Sequence, residues 1–196
     1  MFHVERLSDD VICRLRLYEQ TLLKWQKAIN LVSRGTLSDI WHRHIEDSIQ
    51  ILPFVDGERV LDIGSGAGFP GMVLAILGRR PDARLLNVTC VDSDNRKTLF
   101  LEEVARITQT KVTILCKRIE EVNEKFDVVT ARGFAELKVL LRISKEHAKY
   151  GVFLKGANFQ QEINEALKEF DFEFEIIPSK TDSMGRIIIV RNIRCL

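Results

Sequence analysis

The residues best placed by type and spacing to do chemistry stand at the ends of apolar runs. Gly64, Gly66 and Gly68 follow Val60-Leu61-Asp62-Ile63 and precede Phe69-Pro70-Gly71, so a buried strand gives way to a glycine-spaced loop. Glycine reaches positive φ and has no Cβ to keep a ligand off the backbone. Pro70 suits a first helical position, where its missing N–H would have had no partner. Asp92, with Ser93 behind it, ends a second apolar run, Val88 to Val91. A carboxylate one strand–helix unit after such a loop is placed to accept both hydroxyls of a ribose.

A pyrophosphate fits this loop poorly. The dinucleotide fingerprint spaces its glycines G-x-G-x-x-G and leaves the N–H groups of a helix terminus open. Here the third glycine comes one residue early, and Phe69-Pro70 fill the turn. Loop and acid together point to an adenosine-bearing ligand without phosphates, and S-adenosylmethionine answers that description.

Three further positions belong to the same edge. Arg132 ends F-D-V-V-T-A-R, and its planar fork suits a methionine carboxylate, an RNA phosphate or a guanine edge. An ion pair with a neighbouring acid is the plainer alternative. Ile119-Glu120 follow a third apolar run, where one residue can flank an adenine with apolar contact and a backbone N–H, or form an ordinary solvated loop. Lys155 ends V-F-L-K and is either a substrate contact or a surface charge. Arg43, His44, Asp47 and Ser48 spell R-H-x-x-D-S. On a helix His44, Asp47 and Ser48 share a face, which either docks this segment over the cofactor site or satisfies a buried histidine at an interface. His42 and His44, two apart, cannot chelate one metal. The pairs Arg79-Arg80, Arg96-Lys97 and Lys117-Arg118 could each touch a phosphate or be solvated charge.

Absent motifs narrow the reaction. No [DN]-P-P-[FY] occurs, the usual device for exocyclic amines, and no cysteine follows a proline, as the covalent route to cytosine carbon-5 requires. Guanine nitrogen 7 needs neither, because its lone pair is exposed on the major-groove edge and bears no proton. Holding it in line with a methylsulfonium at roughly 3 Å would suffice, so no general base is expected.

The elements that must position these residues follow from periodicity. Leu7, Val11, Leu15, Leu22, Trp25 and Ile29 form the stripe of an amphipathic helix that Ser8 can cap, with Asp9 and Asp10 in its first turn. A second helix is expected from Ser38 or Asp39 to near Pro53. Residues 1–55 thus form a helical extension and residues 56–196 the main domain. In the latter, strands are expected at 60–63, 85–91, 112–116, 126–131 and 152–154, alternating with helices at 71–77, 97–107 and 136–147. Such alternation makes an α/β, doubly wound, mostly parallel sheet. After a helix at 160–170, strands at 172–177 and 186–193 with no helix between them should pair antiparallel.

Bulk properties exclude more than they identify. Among 196 residues, 45% are hydrophobic and the net charge is +1, so no global basic field marks a nucleic-acid binder. Cys13, Cys90, Cys116 and Cys195 stand too far apart for a zinc motif, and no metal is expected. The first ten residues, MFHVERLSDD, lack a leader pattern, and no apolar run approaches ~18 residues, so a cytoplasmic protein without a membrane partner is expected.

With these residues in view, the sequence resembles the bacterial 16S (small-subunit) rRNA guanine-N(7) methyltransferases, the glucose-inhibited division protein B family. The resemblance runs through WQKAINLVS (25–33), RHIEDS (43–48), DIGSGAGFPG (62–71), VDSDNRKTLFL (91–101), FDVVTARGFAEL (126–137) and FLKG (153–156). It implies a class I S-adenosylmethionine-dependent methyltransferase fold: a Rossmann-like seven-stranded sheet, parallel but for its last hairpin, with an N-terminal helical extension. S-adenosylmethionine would be the donor, S-adenosylhomocysteine the product, and one guanosine of 16S rRNA the acceptor, met in free rRNA or in the small ribosomal subunit. By position, Gly64, Phe69, Ile119, Glu120 and Arg132 match the family's cofactor-binding residues, Asp92 takes the ribose, and Gly66 and Ser93 complete the expected set. Arg132 could also position the substrate. Ile119 stands where alanine or valine is common, and Gly133-Phe134 where an alanine-rich pair is frequent. The basic C-terminal tail of some relatives is missing, so rRNA contacts are expected elsewhere, and the expected state is a monomer. Two other functions stay open on the residues alone: a methyltransferase acting on a small molecule or protein, and a non-enzymatic RNA-binding factor in ribosome assembly.

Overall fold

The computed structural model describes residues 7–78 and 85–196. Helix α1 (Asp9–Trp25) starts where the Ser8 hydroxyl accepts the Val11 N–H at 3.4 Å, with Asp9 and Asp10 at the positive end of its dipole. The apolar stripe continues to Ile29, but the helix stops at Trp25. The Gln26 carboxamide captures the chain ahead: it accepts the Leu31 and Val32 N–H groups at 2.9 and 3.0 Å and donates to the Val32 carbonyl at 2.9 Å. Those bonds satisfy backbone groups that a longer helix would have paired internally.

The expected second helix is not continuous. A 3₁₀ turn (Arg34–Asp39), a π-helical turn (Trp41–Glu46), one α turn, α2 (Asp47–Ile49), and a second 3₁₀ turn (Leu52–Phe54) replace it. Apolar spacing barely distinguishes these windings, so the sequence pattern could not separate them. Single π turns inside helices cluster at functional sites, where the widened winding re-aims backbone and side chains. Here it delivers the Arg43 carbonyl and the His44 ring to Arg132, as described below.

The sheet has the expected seven strands, with ends moved by one or two residues: β1 (Arg59–Ile63), β2 (Asn87–Asp92), β3 (Thr113–Cys116), β4 (Val128–Arg132), β5 (Tyr150–Lys155), β6 (Phe170–Pro178) and β7 (Arg186–Cys195). Their order is β3-β2-β1-β4-β5-β7-β6. Strands β1 to β5 run parallel, and β7 pairs antiparallel with both β5 and β6. Helices α3 (Gly71–Leu77), α4 (Asn95–Ile107), α5 (Leu137–His147) and α6 (Phe159–Ala166) join them. The last is shorter than expected, because Phe170 already belongs to β6, where it is buried.

Successive strand residues serve opposite faces. Val60, Val128 and Ile189 pack with α1, α3, α4 and the turns of the extension, while Leu61, Val129 and Ile188 pack with α5 and α6. The extension therefore shares one hydrophobic cluster with the sheet. Phe100 on one side and Phe153 on the other are fully buried, each contributing roughly 1.5–3 kcal/mol by burial. What matters for function is the order: β1 lies between β2 and β4, so the chain winds outward in both directions from that point. In open α/β sheets ligands bind outside the carboxyl ends of the strands at such a reversal.

Candidate functional site

The glycine loop closes over the end of β1. Gly66 sits at φ +55°, a left-handed conformation that L side chains rarely adopt, and turns its N–H onto Asp92 Oδ2 at 2.8 Å. Asp92 Oδ1 accepts the Asp94 N–H at 2.9 Å. The carboxylate at the tip of β2 thus ties the loop to the entry of α4, whose first turn Asp94 caps through the Arg96 N–H. Gly64, at φ +59°, lies under the Phe134 ring so closely that a Cβ there would stand 2.0 Å from a ring carbon. Only glycine lets that aromatic cover the loop.

Two crevices open along this edge of the sheet. The first, about 400 Å³, is lined by Gly64, Asp92, Ser93, Ile119 and Glu120 from the expected cofactor set, together with Val91, Lys97, Lys117, Arg118, Gly133 and Phe134. The structure thus gathers residues from four separate segments around one hollow. Lys97 and the Lys117-Arg118 pair, ambiguous in the sequence, stand at its wall. Arg79-Arg80 lie outside the described residues.

Three members of the expected set stand elsewhere. Gly66 is one layer back, with its N–H spent on Asp92. Phe69 is buried at 4% exposure, its ring stacked between Tyr18 at 5.2 Å and His44 at 5.0 Å. Arg132 faces the second crevice, about 430 Å³, whose lining includes Arg43, His44, Asp47, Lys155 and Glu162. Gly133, at φ +62°, lines both hollows and marks the divide between them.

The second crevice is a network of satisfied charges. Arg132 donates from Nη1 to the Arg43 carbonyl at 3.1 Å and to Asp47 Oδ2 at 3.2 Å, and from Nη2 to His44 Nδ1 at 2.7 Å. Its guanidinium lies 4.8 Å from the centre of the Phe69 ring. Burial lowers its pKa, opposed by Asp47, and a guanidinium stays protonated regardless. Asp47 Oδ1 accepts from Gln50 and Thr181, which secures the partner acid from two sides. Lys155 is no plain surface charge, with 8% of its side chain exposed. It pairs with Glu162 at 2.5 Å and donates to the Ala135 carbonyl at 2.8 Å. Of the two readings of the R-H-x-x-D-S motif, the structure shows the satisfied buried histidine, and Arg43, His44 and Asp47 meet the strand-tip arginine.

Behind the loop lies a buried acid with no expected role. Asp62, fully buried, accepts the Thr130 hydroxyl at 3.0 Å through Oδ1, while Oδ2, pressed against Gly71, has no well-formed hydrogen bond. Burial raises its pKa from 3.8 to about 6, against the pull of the Ser65 and Thr130 hydroxyls. Between those values the folded chain holds a proton that the unfolded chain has lost, so stability falls as pH rises through this window and levels off above it. Denaturant titrations should show this slope in the natural protein and its loss in Asp62→Asn. A natural protein whose stability rises relative to the variant over that range would contradict the assignment.

Among the described residues no His, Cys, Asp and Glu side chains are grouped to hold a metal ion, and no helix is long and apolar enough to cross a membrane. Residues 12–186 match the family model described as rRNA small subunit methyltransferase G. The chain is 45% identical over 193 residues to the protein called ribosomal RNA small subunit methyltransferase G in Paramagnetospirillum magneticum, covering 95% of this chain and 91% of that one. It is 40% identical to the protein of the same name in Gluconobacter oxydans, covering 92% and 93%. Among solved structures, magnesium protoporphyrin IX methyltransferase of Synechocystis with bound S-adenosylmethionine superposes with a TM-score of 0.62 at 15% identity, covering 97% of this chain and all of that one, 100%. Ribosomal protein L11 methylase of Lactobacillus delbrueckii superposes at 0.60 with 18% identity, covering 76% and 78%. These two likenesses establish the fold, which is the class I methyltransferase fold.

Proposed function

The chain belongs to the rRNA small subunit methyltransferase G family, and from that premise we propose that it transfers a methyl group from S-adenosylmethionine to nitrogen 7 of a guanosine in 16S rRNA. The observation that carries this reading is the pair of crevices meeting at Gly133, one suited to a nucleoside donor and the other to a polar, anionic acceptor.

The first crevice fits the donor. Asp92 stands at the strand tip, where a ribose would present two hydroxyls. Each of its oxygens already accepts one backbone N–H, and each has a second lone pair to offer. Val91, Ile119 and Phe134 supply apolar surface for a purine, and Gly64 supplies backbone without a side chain. Phe69 stands in the turn that follows the loop, its ring stacked with Tyr18 and His44. When bound, S-adenosylmethionine supplies a methyl carbon made electrophilic by the adjacent sulfonium.

The second crevice holds the acceptor. Arg132 and Arg43 line it, held by Asp47 and Asp182, while Lys155 is buried against Glu162. Three of the five N–H groups of Arg132 are engaged, so its fork arrives already oriented. Guanine nitrogen 7 brings a free lone pair and no proton, so these residues orient the base and need not accept a proton. Cytoplasmic residence and a monomeric state accord with this activity.

The test is incubation with labelled S-adenosylmethionine and small subunits or 16S rRNA from cells lacking the modification. Label should appear as 7-methylguanosine, in free RNA or assembled particles. Label in no guanine of either substrate would overturn the reading.

A further inference from the structure

The glycine loop behind the first crevice is held from its far side by the N-terminal extension. Tyr18 lies two turns before the end of α1, on the face that carries Leu15, Leu22 and Trp25, and is fully buried. Its hydroxyl donates to the Ala67 carbonyl, between Gly66 and Gly68. The approach is close: a Cβ on Gly68 would stand 2.7 Å from the Tyr18 oxygen. The ring stacks on Phe69 at 5.2 Å and 26° and packs against Phe100 at 6.2 Å. Burial pushes the pKa of this hydroxyl well up, so it stays protonated and donates.

Among the described residues, the other hydrogen bonds of the loop stay within the sheet and α3. The Ser65 N–H reaches the Val91 carbonyl at 3.0 Å, and the Gly66 N–H reaches Asp92 at 2.8 Å. The Gly68 carbonyl accepts the Met72 N–H at 2.8 Å. Ala67 has a glycine on each side, at φ +55° and +92°. Glycine restrains the backbone least, so the peptide units around Ala67 have little stiffness of their own. Ala67 is buried, and a buried carbonyl without a partner is costly. The Tyr18 hydroxyl supplies the partner and the restraint together.

We propose that Tyr18 is a positioning residue for the methyl donor: through the Ala67 carbonyl it holds the 64–68 loop in the shape that receives the nucleoside. The inference rests on the reading of the first crevice as the donor site. With the bond in place, the Gly66 N–H stays on Asp92 and the Gly64 backbone stays at the crevice wall. Without it, the loop samples more conformations, and the donor must order it on binding. Such an ordering cost falls on affinity. Saturating donor offsets it, so the rate at saturation stays the natural one.

The experiment compares Tyr18→Phe, which removes only the hydroxyl, with Leu22→Ala on the same helix. Leu22 is fully buried and belongs to the hydrophobic cluster behind the sheet, so its truncation lowers stability without touching the bond to Ala67. Calorimetry reads affinity for S-adenosylmethionine, initial rates on undermethylated small subunits read KM and kcat, and thermal melts read stability. Tyr18→Phe should weaken donor affinity by roughly threefold to tenfold, the worth of one hydrogen bond. Its donor KM should rise in the same proportion, with the RNA KM and the kcat at saturating donor unchanged. Leu22→Ala should melt lower yet bind the donor within about twofold of the natural protein. Natural donor affinity in Tyr18→Phe overturns the proposal. So does an equal loss of affinity in Leu22→Ala, because loosening of the whole fold would then explain both. A Tyr18→Phe protein that loses kcat at saturating donor instead of affinity overturns it as well. Failure of the natural protein to bind S-adenosylmethionine would strike the proposed function itself, a result distinct from each of these.

Discussion

Arg132→Lys is expected to lower methyl transfer to the RNA by roughly 10–100-fold, the equivalent of losing one or two charge-assisted hydrogen bonds, while donor affinity stays as it was. The reason lies in shape more than charge. The fork reaches the Arg43 carbonyl and Asp47 Oδ2 with Nη1 and His44 with Nη2, and its central carbon lies 4.8 Å from the centre of the Phe69 ring. A lysine ammonium is a single point on a flexible stem and cannot make these contacts in one geometry. Arg132→Ala would be a poorer probe, since it strands Asp47 without its buried counter-charge and mixes stability with catalysis. Single-turnover rates with saturating donor measure the first quantity and calorimetry the second. Arg132 lines the second crevice and not the first, so a large loss of donor affinity would show that the donor extends past Gly133 into the second.

Strand tips were legible because an apolar run that stops at a charged or glycine residue reports where a buried strand meets solvent. Asp92 ends such a run, Glu120 follows one, and both line the first crevice. Arg132 was found the same way, but which of two adjacent hollows it enters depends on acceptors more than 80 positions away in sequence, at Arg43, His44 and Asp47. No local pattern encodes that distance. Phe69 was legible as part of the loop, yet its burial depends on Tyr18 and His44 arriving from the extension. The broken winding after Gly35 escaped detection because 3₁₀, α and π turns bury nearly the same residues. Its one local signal was the density of polar side chains in R-H-x-x-D-S, unusual for a face that becomes buried. Phe134 is visible in the sequence only as a departure from the family's pattern, and its contact with Gly64, 70 positions away, has no local signal.

Asp92→Ala should weaken donor binding by about 1–3 kcal/mol, or roughly 5–150-fold, through lost hydrogen bonds to a charged acceptor. Two effects contribute, and they can be separated. The carboxylate would meet the ribose directly, and it also anchors the Gly66 and Asp94 N–H groups that shape the crevice. Asp92→Asn is not a silent replacement, because one side of the amide must turn N–H groups toward one of those two backbone donors. A cycle with a 2′-deoxyribose analogue of the donor resolves the direct part. The natural protein should discriminate against the analogue, and Asp92→Ala should lose that discrimination. If both proteins discriminate equally, the acid acts only through the loop. If alanine leaves donor affinity untouched, Asp92 has no place in the site, and the nucleoside must lie elsewhere along the edge of the sheet.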